Sequence, residues 1–268
     1  MNFCRQQVIG PINRLLTVVS LSLLLLCTTW SSFAFGVEFS SAGWQRLCKR
    51  IFTATPSVRA VKGGFKSLSI EGTPEDTRLF AFDAPYLGLE YRSVTGAKMA
   101  DYDVVTLLGR KFGPEQAMTP AGAQAWPNLM GEDLQVFELA FKGRRFLVIS
   151  GGGSGLFQSG SYQQVRFFHL FDLTRTKKIH YYRIASRFGD ICSFGDRNGD
   201  GQLDFVYMAT GPDDHEVYGF GFLTFSPSGV SPIQSRNGTP VLIKACMSSK
   251  GDWVIARGKK APDCSKIR

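Results

Sequence analysis

The sequence predicts a mainly β protein built as an antiparallel meander, for three reasons. Aromatic residues recur along the chain, with 22 phenylalanines and 8 tyrosines among 268 residues. Glycine and proline, 29 and 12 residues respectively, interrupt it at short intervals. No long amphipathic helical pattern is present beyond one short segment near the N-terminus. Short strands joined by turns are typical of β-propellers and β-sandwiches, and we expect a propeller-like meander, with a β-sandwich as the alternative.

The first 34 residues have the features of an export signal. Two arginines and no acidic residue accompany an apolar run from Leu15 through Leu26. Ser32 and Ala34 are small residues at the two positions that a signal peptidase reads, so we expect cleavage after Ala34. An uncleaved membrane anchor is the alternative, because the apolar stretch is long enough to cross a bilayer once.

The remainder, residues 35–268, is expected to form a single β-rich domain in an extracytoplasmic location, either periplasmic or secreted. Without the first 34 residues it has 29 basic and 22 acidic residues, a net charge of +7. The basic residues are scattered, with short clusters at Arg144-Arg145, Lys177-Lys178 and Lys259-Lys260. Neither a basic helix nor an aromatic RNA-binding signature accompanies them, so we expect a dispersed, solvated charge and no nucleic-acid partner.

Four cysteines lie beyond the export segment: Cys48, Cys192, Cys246 and Cys264. An even number in an exported chain predicts two disulfides, and three pairings are open. Our preferred hypothesis joins Cys246 to Cys264, which would staple the terminal hairpin, and Cys48 to Cys192. No cysteine belongs to a C-x-x-C pair, so neither a zinc site nor thioredoxin-like chemistry is predicted.

One short helix and a series of strands follow from the periodicity of the apolar residues. Residues 41–51 place Trp44, Leu47, Cys48 and Ile51 on one helical face, which is expected to pack as a cap. Residues 114–131 are rich in proline and glycine, and they form the one candidate subdomain boundary. Strands are predicted at Phe65–Glu71, Arg78–Phe82, Leu87–Ser93, Asp103–Leu108, Leu134–Phe141, Arg145–Ser150, Gln163–Leu173, Ile179–Ile184, Leu203–Thr210, Val217–Phe225, Pro240–Met247 and Trp253–Arg257.

The segment D-R-N-G-D-G-Q-L-D-F, residues 196–205, predicts a calcium site. Its oxygen-bearing side chains stand at loop positions 1, 3, 5 and 9, and a backbone carbonyl at position 7 adds a further ligand. An EF-hand is excluded because Tyr207 occupies the position of the required glutamate and the following residues are β-like. A metal-free double turn is the alternative. The predicted Ca²⁺ ligands are Asp196, Asn198, Asp200, Gln202 and Asp204.

Residues 194–206, F-G-D-R-N-G-D-G-Q-L-D-F-V, resemble the calcium-loop core of an FG-GAP or VCBS repeat, the blade motif of integrin-alpha-type propellers. The resemblance covers a single copy, at about residues 190–225. It implies that the loop joins two antiparallel strands of one blade. It also implies a chiefly structural cation, held by the same five residues.

Other candidate sites are weaker. The glycine-rich segment 151–155 lacks the helix that would hold a phosphate and the closing glycine of a nucleophile elbow, so it is predicted to be a surface loop. His169 and His180 are expected to be packed or at a sheet edge. Acidic segments at 132–133 and 213–216 are expected to be solvated turns, with a general base as the alternative.

These observations predict an exported, non-enzymatic binding or structural protein with one calcium-stabilised hairpin loop. Its expected partners are a cell-envelope component, a glycan or another protein, with membrane contact only through an uncleaved N-terminal segment. No catalytic or organic-cofactor residue is assigned. A glycan-acting hydrolase is one alternative, for which Asp133, Asp213, Asp214 or Glu216 would have to share a cleft. A membrane-tethered envelope assembly factor is the other.

Overall fold

The described part of the chain folds into three antiparallel sheets and one short helix. The computed structural model describes residues 41–67, 75–82, 84, 86–94, 102–121, 134–152, 165–187, 189–210, 217–248, 250–256 and 264. The predicted mainly β, antiparallel fold with a short N-terminal helix is confirmed. The predicted export segment lies outside the described residues. Within them, no helix is both long enough and apolar enough to cross a membrane.

The first sheet is a meander of five consecutive strands in the order β2-β3-β4-β5-β6. Each strand pairs antiparallel with the next one along the chain, which is the arrangement of a meander. The strands are β2 (Gly63–Ser67), β3 (Glu75–Phe82), β4 (Leu87–Val94), β5 (Tyr102–Leu107) and β6 (Arg110–Phe112).

The second sheet has the order β1-β7-β8-β9-β10, so its first strand comes from before the first sheet. Pairing of β1 with β7 matches Ser57 with Ala140 and Val61 with Val136, and the whole first sheet lies between them in the chain. The strands are β1 (Ser57–Val61), β7 (Gln135–Phe141), β8 (Arg144–Gly152), β9 (Val165–Asp172) and β10 (His180–Arg187).

The third sheet has the order β11-β12-β13-β15-β16, with β14 pairing on β13. A 3-10 turn, Ile191–Ser193, leads into it and is capped by the Asp190 side chain. The strands are β11 (Phe194–Gly195), β12 (Asp204–Thr210), β13 (Val217–Ser226), β14 (Gly229–Pro232), β15 (Leu242–Met247) and β16 (Trp253–Ile255).

Each face of the second sheet packs on a neighbouring sheet. On β8, Leu147 belongs to the core shared with the first sheet, whereas Phe146 belongs to the core shared with the third. On β9, Phe171 and Phe168 divide in the same way. Alternate residues of a strand point to opposite faces, so these nearly continuous apolar runs fill two cores at once. Meanders that pack face to face are typical of propeller blades, and the propeller itself stays a prediction.

Helix α1 (Ser41–Ile51) covers the other face of the third sheet, as its apolar stripe predicts. The Trp44 ring lies 5.4 Å from Phe220 and 6.2 Å from Trp253 between ring centroids. Its indole N–H donates to the Ser193 hydroxyl at 3.0 Å. Gly43 allows the helix to approach the turn at Gly251, because a Cβ there would overlap the Gly251 carbonyl.

Three short strands were not predicted from the sequence: β1, β6 and β14. They contain three to five residues each, and they carry charge or proline instead of a clear apolar alternation. The proline-rich segment begins with a 3-10 turn, Pro114–Gln116, and residues 122–131 lie outside the described part. Phe112 before it and Val136 after it share one core, so it does not separate two cores.

The cysteines lie in the predicted pairs, but only one pair is bonded. Cys246 and Cys264 form a disulfide with their Cα atoms 5.7 Å apart. The predicted second disulfide is not formed: Cys48 and Cys192 are thiols, with 3.1 Å between the sulfur atoms. Burial, together with the neighbouring Cys192 thiol, raises the pKa of Cys48, and a buried neutral thiol reacts slowly.

An ion pair fixes the turns at one end of the second sheet. Asp172, at the end of β9, accepts from Arg144 at 2.6 Å and from the Thr174 N–H at 2.9 Å. Burial alone would raise the pKa of this carboxyl, but the hydrogen bonds from Thr174 and Arg144 outweigh it and lower the pKa. The ionised form is therefore the one that stabilises the fold.

We expect Asp172→Asn to lower the free energy of unfolding by about 1–2 kcal/mol at pH 7. A lowered pKa in the folded protein contributes stability above the unfolded value of about 3.9 and loses it as pH falls below that value. The deficit should therefore shrink when urea unfolding is repeated at pH 3. Asp252→Asn, which breaks the exposed pair with Arg46, is the control and should cost under about 1 kcal/mol. An equal deficit for Asp172→Asn at both pH values would contradict this assignment.

Loss of the disulfide should be costly as well. Cys264→Ser opens a loop with a sequence separation of 18 residues, for which we expect a loss of about 3 kcal/mol in urea unfolding. A reducing agent should destabilise the wild type by a similar amount and leave the Cys264→Ser variant unchanged. Cys192→Ser is the matched control, because no covalent bond is lost. Equal stability of the wild type in the presence and absence of reductant would show that the bond contributes nothing.

Candidate functional site

The predicted calcium loop connects β11 to β12, as the resemblance to a blade motif implies. The two strands pair Phe194 with Phe205 and Gly195 with Asp204. The rings of Phe194 and Phe205 lie 4.9 Å apart and are fully buried in the core shared with the second sheet. Gly195 is needed here, because a Cβ would overlap the ring of Phe52. The loop therefore begins and ends at rigid positions.

The segment after helix α1 is tied to the first loop residue. The Asp196 N–H donates to the Ala54 carbonyl at 2.8 Å, and the Thr53 N–H donates to the Asp196 carbonyl at 2.8 Å. The Thr53 hydroxyl donates to the same carbonyl at 2.8 Å. These bonds attach residues 53–54 to the first residue of the loop, so the attachment depends on the conformation of the loop.

Asp196 is fully buried and organises the loop through both carboxylate oxygens. Oδ1 accepts the Gly199 N–H at 2.6 Å, and Oδ2 accepts the Gly201 N–H at 2.9 Å. Gly199 and Gly201 have φ values of +81° and +84°, which favour glycine. The two Asx-Gly steps of the sequence therefore aim backbone donors at one carboxylate.

Lys142 supplies the counter-charge, which sequence reasoning did not find. Its ammonium donates to Asp196 Oδ2 at 2.8 Å from the turn between β7 and β8. Burial tends to raise the pKa of Asp196, but the bonds from Lys142, Gly201 and Gly199 lower it, so the carboxyl stays ionised. The two residues are 54 positions apart in the chain, and only the packing of the second sheet on the third brings them together.

Asn198 and Asp200 fold the exposed part of the loop into Asx turns. Asn198 Oδ1 accepts the Asp200 N–H at 3.2 Å, and Asp200 Oδ1 accepts the Gln202 N–H at 2.7 Å. The Asn198 amide also donates to Asp200 Oδ2 at 3.0 Å. Turns of this kind form without metal, and they hold the side-chain oxygens of positions 3 and 5 close together.

Asp204 has a buried carboxylate oxygen without a hydrogen-bond partner among the described residues. It is fully buried; Oδ2 accepts the Arg197 N–H at 2.8 Å, but Oδ1 has no hydrogen-bond partner among the described residues. Burial, with Asp200 and Asp196 nearby, raises the pKa of this carboxyl to about 6, although the Arg197 N–H acts in the opposite direction. The Thr224 hydroxyl is close enough to lower the pKa, but not in hydrogen-bonding geometry.

The side-chain oxygens of the loop are of the kind that a hard cation binds, although several of them already accept hydrogen bonds within the loop. A carboxylate or amide oxygen that accepts one hydrogen bond keeps a second lone pair, so Asp196, Asn198 and Asp200 retain capacity. The unpartnered Asp204 oxygen and the mutual repulsion of the loop carboxylates would both be relieved by a cation. Within the described part of the chain, however, no three histidine, cysteine or acidic side chains are grouped closely enough to hold a metal.

A groove beside the edge strand β1 is a second candidate. Two cavities, of about 270 and 340 Å³, share Arg59 and Glu138 in their walls. Arg59 and the Tyr86 hydroxyl both donate to the Glu138 carboxylate. Burial opposes ionisation of Glu138, but these bonds lower its pKa; burial and Glu138 together raise the pKa of Tyr86 to about 12. Glycoside hydrolysis ordinarily needs two carboxyl groups, and the described walls of these two cavities contain one.

The remaining predicted sites are only partly described. Both acidic segments, 132–133 and 213–216, lie outside the described residues, as does the glycine-rich segment beyond Gly152. His169 is buried, as expected, with its Nδ1 at 2.7 Å from the Tyr181 hydroxyl. Burial and the nearby Arg183 hold the pKa of His169 well below its usual range, so the ring is neutral and part of the core.

No family model, no curated protein and no solved structure matches this chain. The similarity of residues 190–225 to FG-GAP or VCBS repeats therefore stays a prediction, and the site is judged on its own contacts.

The Lys142–Asp196 contact yields a direct prediction. Lys142→Met keeps much of the aliphatic stem but leaves a buried carboxylate without its counter-charge, so we expect a loss of about 1–2 kcal/mol in urea unfolding at pH 7 with chelator present. Lys142 is half-exposed, which keeps the estimate at the lower end of buried ion pairs. Arg145→Met, at an exposed neighbouring position, should have little effect. Equal stability of the Lys142→Met variant and the wild type would show that Asp196 needs no cation.

Proposed function

We propose that this protein is an exported, non-enzymatic binding protein whose third sheet is stabilised by one calcium ion in the loop from Asp196 to Asp204. The observation that carries the proposal is the buried Asp204 Oδ1, which has no partner among the described residues and lies in a loop with two further carboxylates. Calcium, when bound, would supply positive charge and oxygen coordination. No step of any reaction is assigned to it.

The residues that would hold the ion are the five predicted from the sequence. Asp196 and Asp204 stand at the two ends of the loop, next to paired strands, and Asn198 and Asp200 are already turned toward each other. The Gln202 carbonyl is the proposed backbone ligand. Because Asp196 also bonds Thr53 and Ala54, a bound ion would stabilise the attachment of residues 53–54 as well as the hairpin.

Structural stabilisation accounts for the site better than catalysis. Asp196 accepts hydrogen bonds from two backbone N–H groups and from Lys142. His169 is neutral and buried in the core. A general base needs access to substrate, which a fully buried carboxylate lacks. We therefore propose that the surface of the sheets, and not the loop, recognises a cell-envelope component, a glycan or another protein outside the cytoplasm.

Calcium binding is tested by thermal unfolding with chelator and with millimolar calcium. Extracellular calcium modules have dissociation constants of about 10⁻⁴–10⁻³ M, so a few millimolar calcium should add about 1–2 kcal/mol. For a domain of this length, that corresponds to an increase in Tm of about 2–8 °C. Magnesium at the same concentration should give a smaller shift, because it prefers a smaller, more regular site.

Two variants separate calcium binding from the turn structure. Asp200→Asn keeps an oxygen to accept the Gln202 N–H but removes a charge, so the calcium-dependent shift should fall while the Tm with chelator stays near wild type. Asp252→Asn, an exposed carboxylate outside the loop, should keep the full shift. If calcium leaves the Tm of the wild type unchanged, the calcium site is wrong.

A further inference from the structure

Three hairpin turns meet at one end of the first and second sheets. The turn between β7 and β8 contacts the turn between β9 and β10, where the Leu173 N–H donates to the Arg145 carbonyl at 2.8 Å. The turn between β5 and β6 joins them through Arg110, whose guanidinium lies 3.5 Å from the Lys177 carbonyl. Residues 108–111, 142–145 and 174–178 therefore form one surface, which we call the basic rim.

The basic rim concentrates charge that looks dispersed in the sequence. Eight of its thirteen residues are lysine or arginine, and none is acidic. Lys142 and Arg144 bond the buried carboxylates Asp196 and Asp172. The other six basic side chains are exposed: Arg110, Lys111, Arg145, Arg175, Lys177 and Lys178. Like charges brought this close repel one another, so the arrangement favours an anionic partner.

Two tips of the basic rim have an unusual backbone. Leu108 and Lys142 are the two non-glycine residues with positive φ in the described chain, at +52° and +44°. Each is followed by a glycine with positive φ, which is the pattern of a type I′ turn, where asparagine or aspartate is favoured at the first position. Lys142 is explained by its bond to Asp196. The Leu108 N–H donates to the Tyr86 carbonyl at 2.8 Å, but its apolar side chain can make no hydrogen bond, and the residue is 43% exposed.

An exposed leucine in a disfavoured conformation, followed along the chain by Arg110 and Lys111, indicates the kind of partner. An apolar tip gains free energy by entering the headgroup region of a bilayer, while basic neighbours remain at the anionic surface. A single-stranded nucleic acid would be recognised instead by exposed aromatic rings. The rings next to the rim, Phe112 and Phe146, are buried beneath Arg110 and Arg144, with guanidinium carbons 5.4 and 4.8 Å from the ring centroids.

We propose that the basic rim docks on the surface of an anionic phospholipid bilayer, with Leu108 entering the interface and the exposed lysines and arginines facing the headgroups. The proposed contact uses the exposed side chains of the rim, none of which belongs to a proposed calcium ligand. Reversible attachment follows, because each contribution is small and the charges are screened by salt.

The test is binding of the full protein, as purified after export, to vesicles of phosphatidylcholine alone and of phosphatidylcholine with about 30% phosphatidylglycerol. We expect stronger binding to the anionic vesicles and a decrease as salt rises. A retained N-terminal segment carries two arginines and would itself favour anionic vesicles, so the ratio of the two affinities is measured for the wild type and for the rim variants, which share that segment. A ratio near one would overturn the proposal.

A triple variant, Arg110→Gln, Lys177→Gln and Lys178→Gln, should lower the affinity for anionic vesicles by about 100-fold, or about fivefold per basic residue. The matched control neutralises three exposed basic residues outside the rim: Lys62→Gln, Arg236→Gln and Lys250→Gln. Its affinity should fall less than about threefold, through net charge alone. An equal loss in both triple variants would show that binding is diffuse and not located at the rim.

Leu108→Asn separates a bilayer from a soluble polyanion. Asparagine suits the positive φ, so the turn is retained and the variant should unfold at or above the wild-type temperature. Vesicle affinity should fall by about threefold to tenfold, because the apolar tip is lost. Binding to single-stranded DNA or to a sulfated polysaccharide should not change. Tighter binding to either polymer than to vesicles, with no effect of Leu108→Asn on vesicle binding, would overturn the bilayer as the partner.

Discussion

Two buried carboxylates, Asp196 and Asp204, are the constraint on which the arrangement of the third sheet depends. Burial of a charge without a partner costs several kcal/mol, so the surrounding chain must supply donors. Gly199 and Gly201 supply backbone N–H groups from a conformation that few other residues adopt, and Lys142 supplies an ammonium from the second sheet. The conformation of the loop, the packing of the second sheet on the third and the position of residues 53–54 are thus coupled at Asp196.

The second sheet transmits this coupling to the rest of the fold. Its strands β8 and β9 bury both faces, so the turns at their ends cannot move without disturbing two cores. The Asp172–Arg144 pair and the contact between Leu173 and Arg145 then hold neighbouring turns together. The same rigidity that orders the loop from Asp196 to Asp204 also gathers basic side chains into one surface, although the two sites serve different proposed partners.

Sequence patterns predicted the local structure well and the long-range contacts poorly. The helical stripe of Trp44 and Leu47, the strand predicted at Gln163–Leu173 and the spacing of the loop oxygens each depend on residues close in the chain, so sequence patterns were sufficient. Strand β1, the counter-charge Lys142 and the meeting of Arg110 with Lys177 depend on partners far along the chain. The even cysteine count predicted two disulfides and left three pairings open, and it did not indicate that the Cys48 and Cys192 thiols remain unbonded at 3.1 Å.

The pairing of β1 with β7 determines the order in which this chain can fold as it is synthesised. Ser57 bonds Ala140 across 83 positions, and Thr53 bonds Asp196 across 143. The first sheet is contiguous and can form early, but the N-terminal strand must wait until β7 has emerged, and the segment at Thr53 must wait for the loop. Long closures of this kind slow folding, and they leave the edge of β7 exposed in the meantime. A chaperone that shields strand edges would act during this interval.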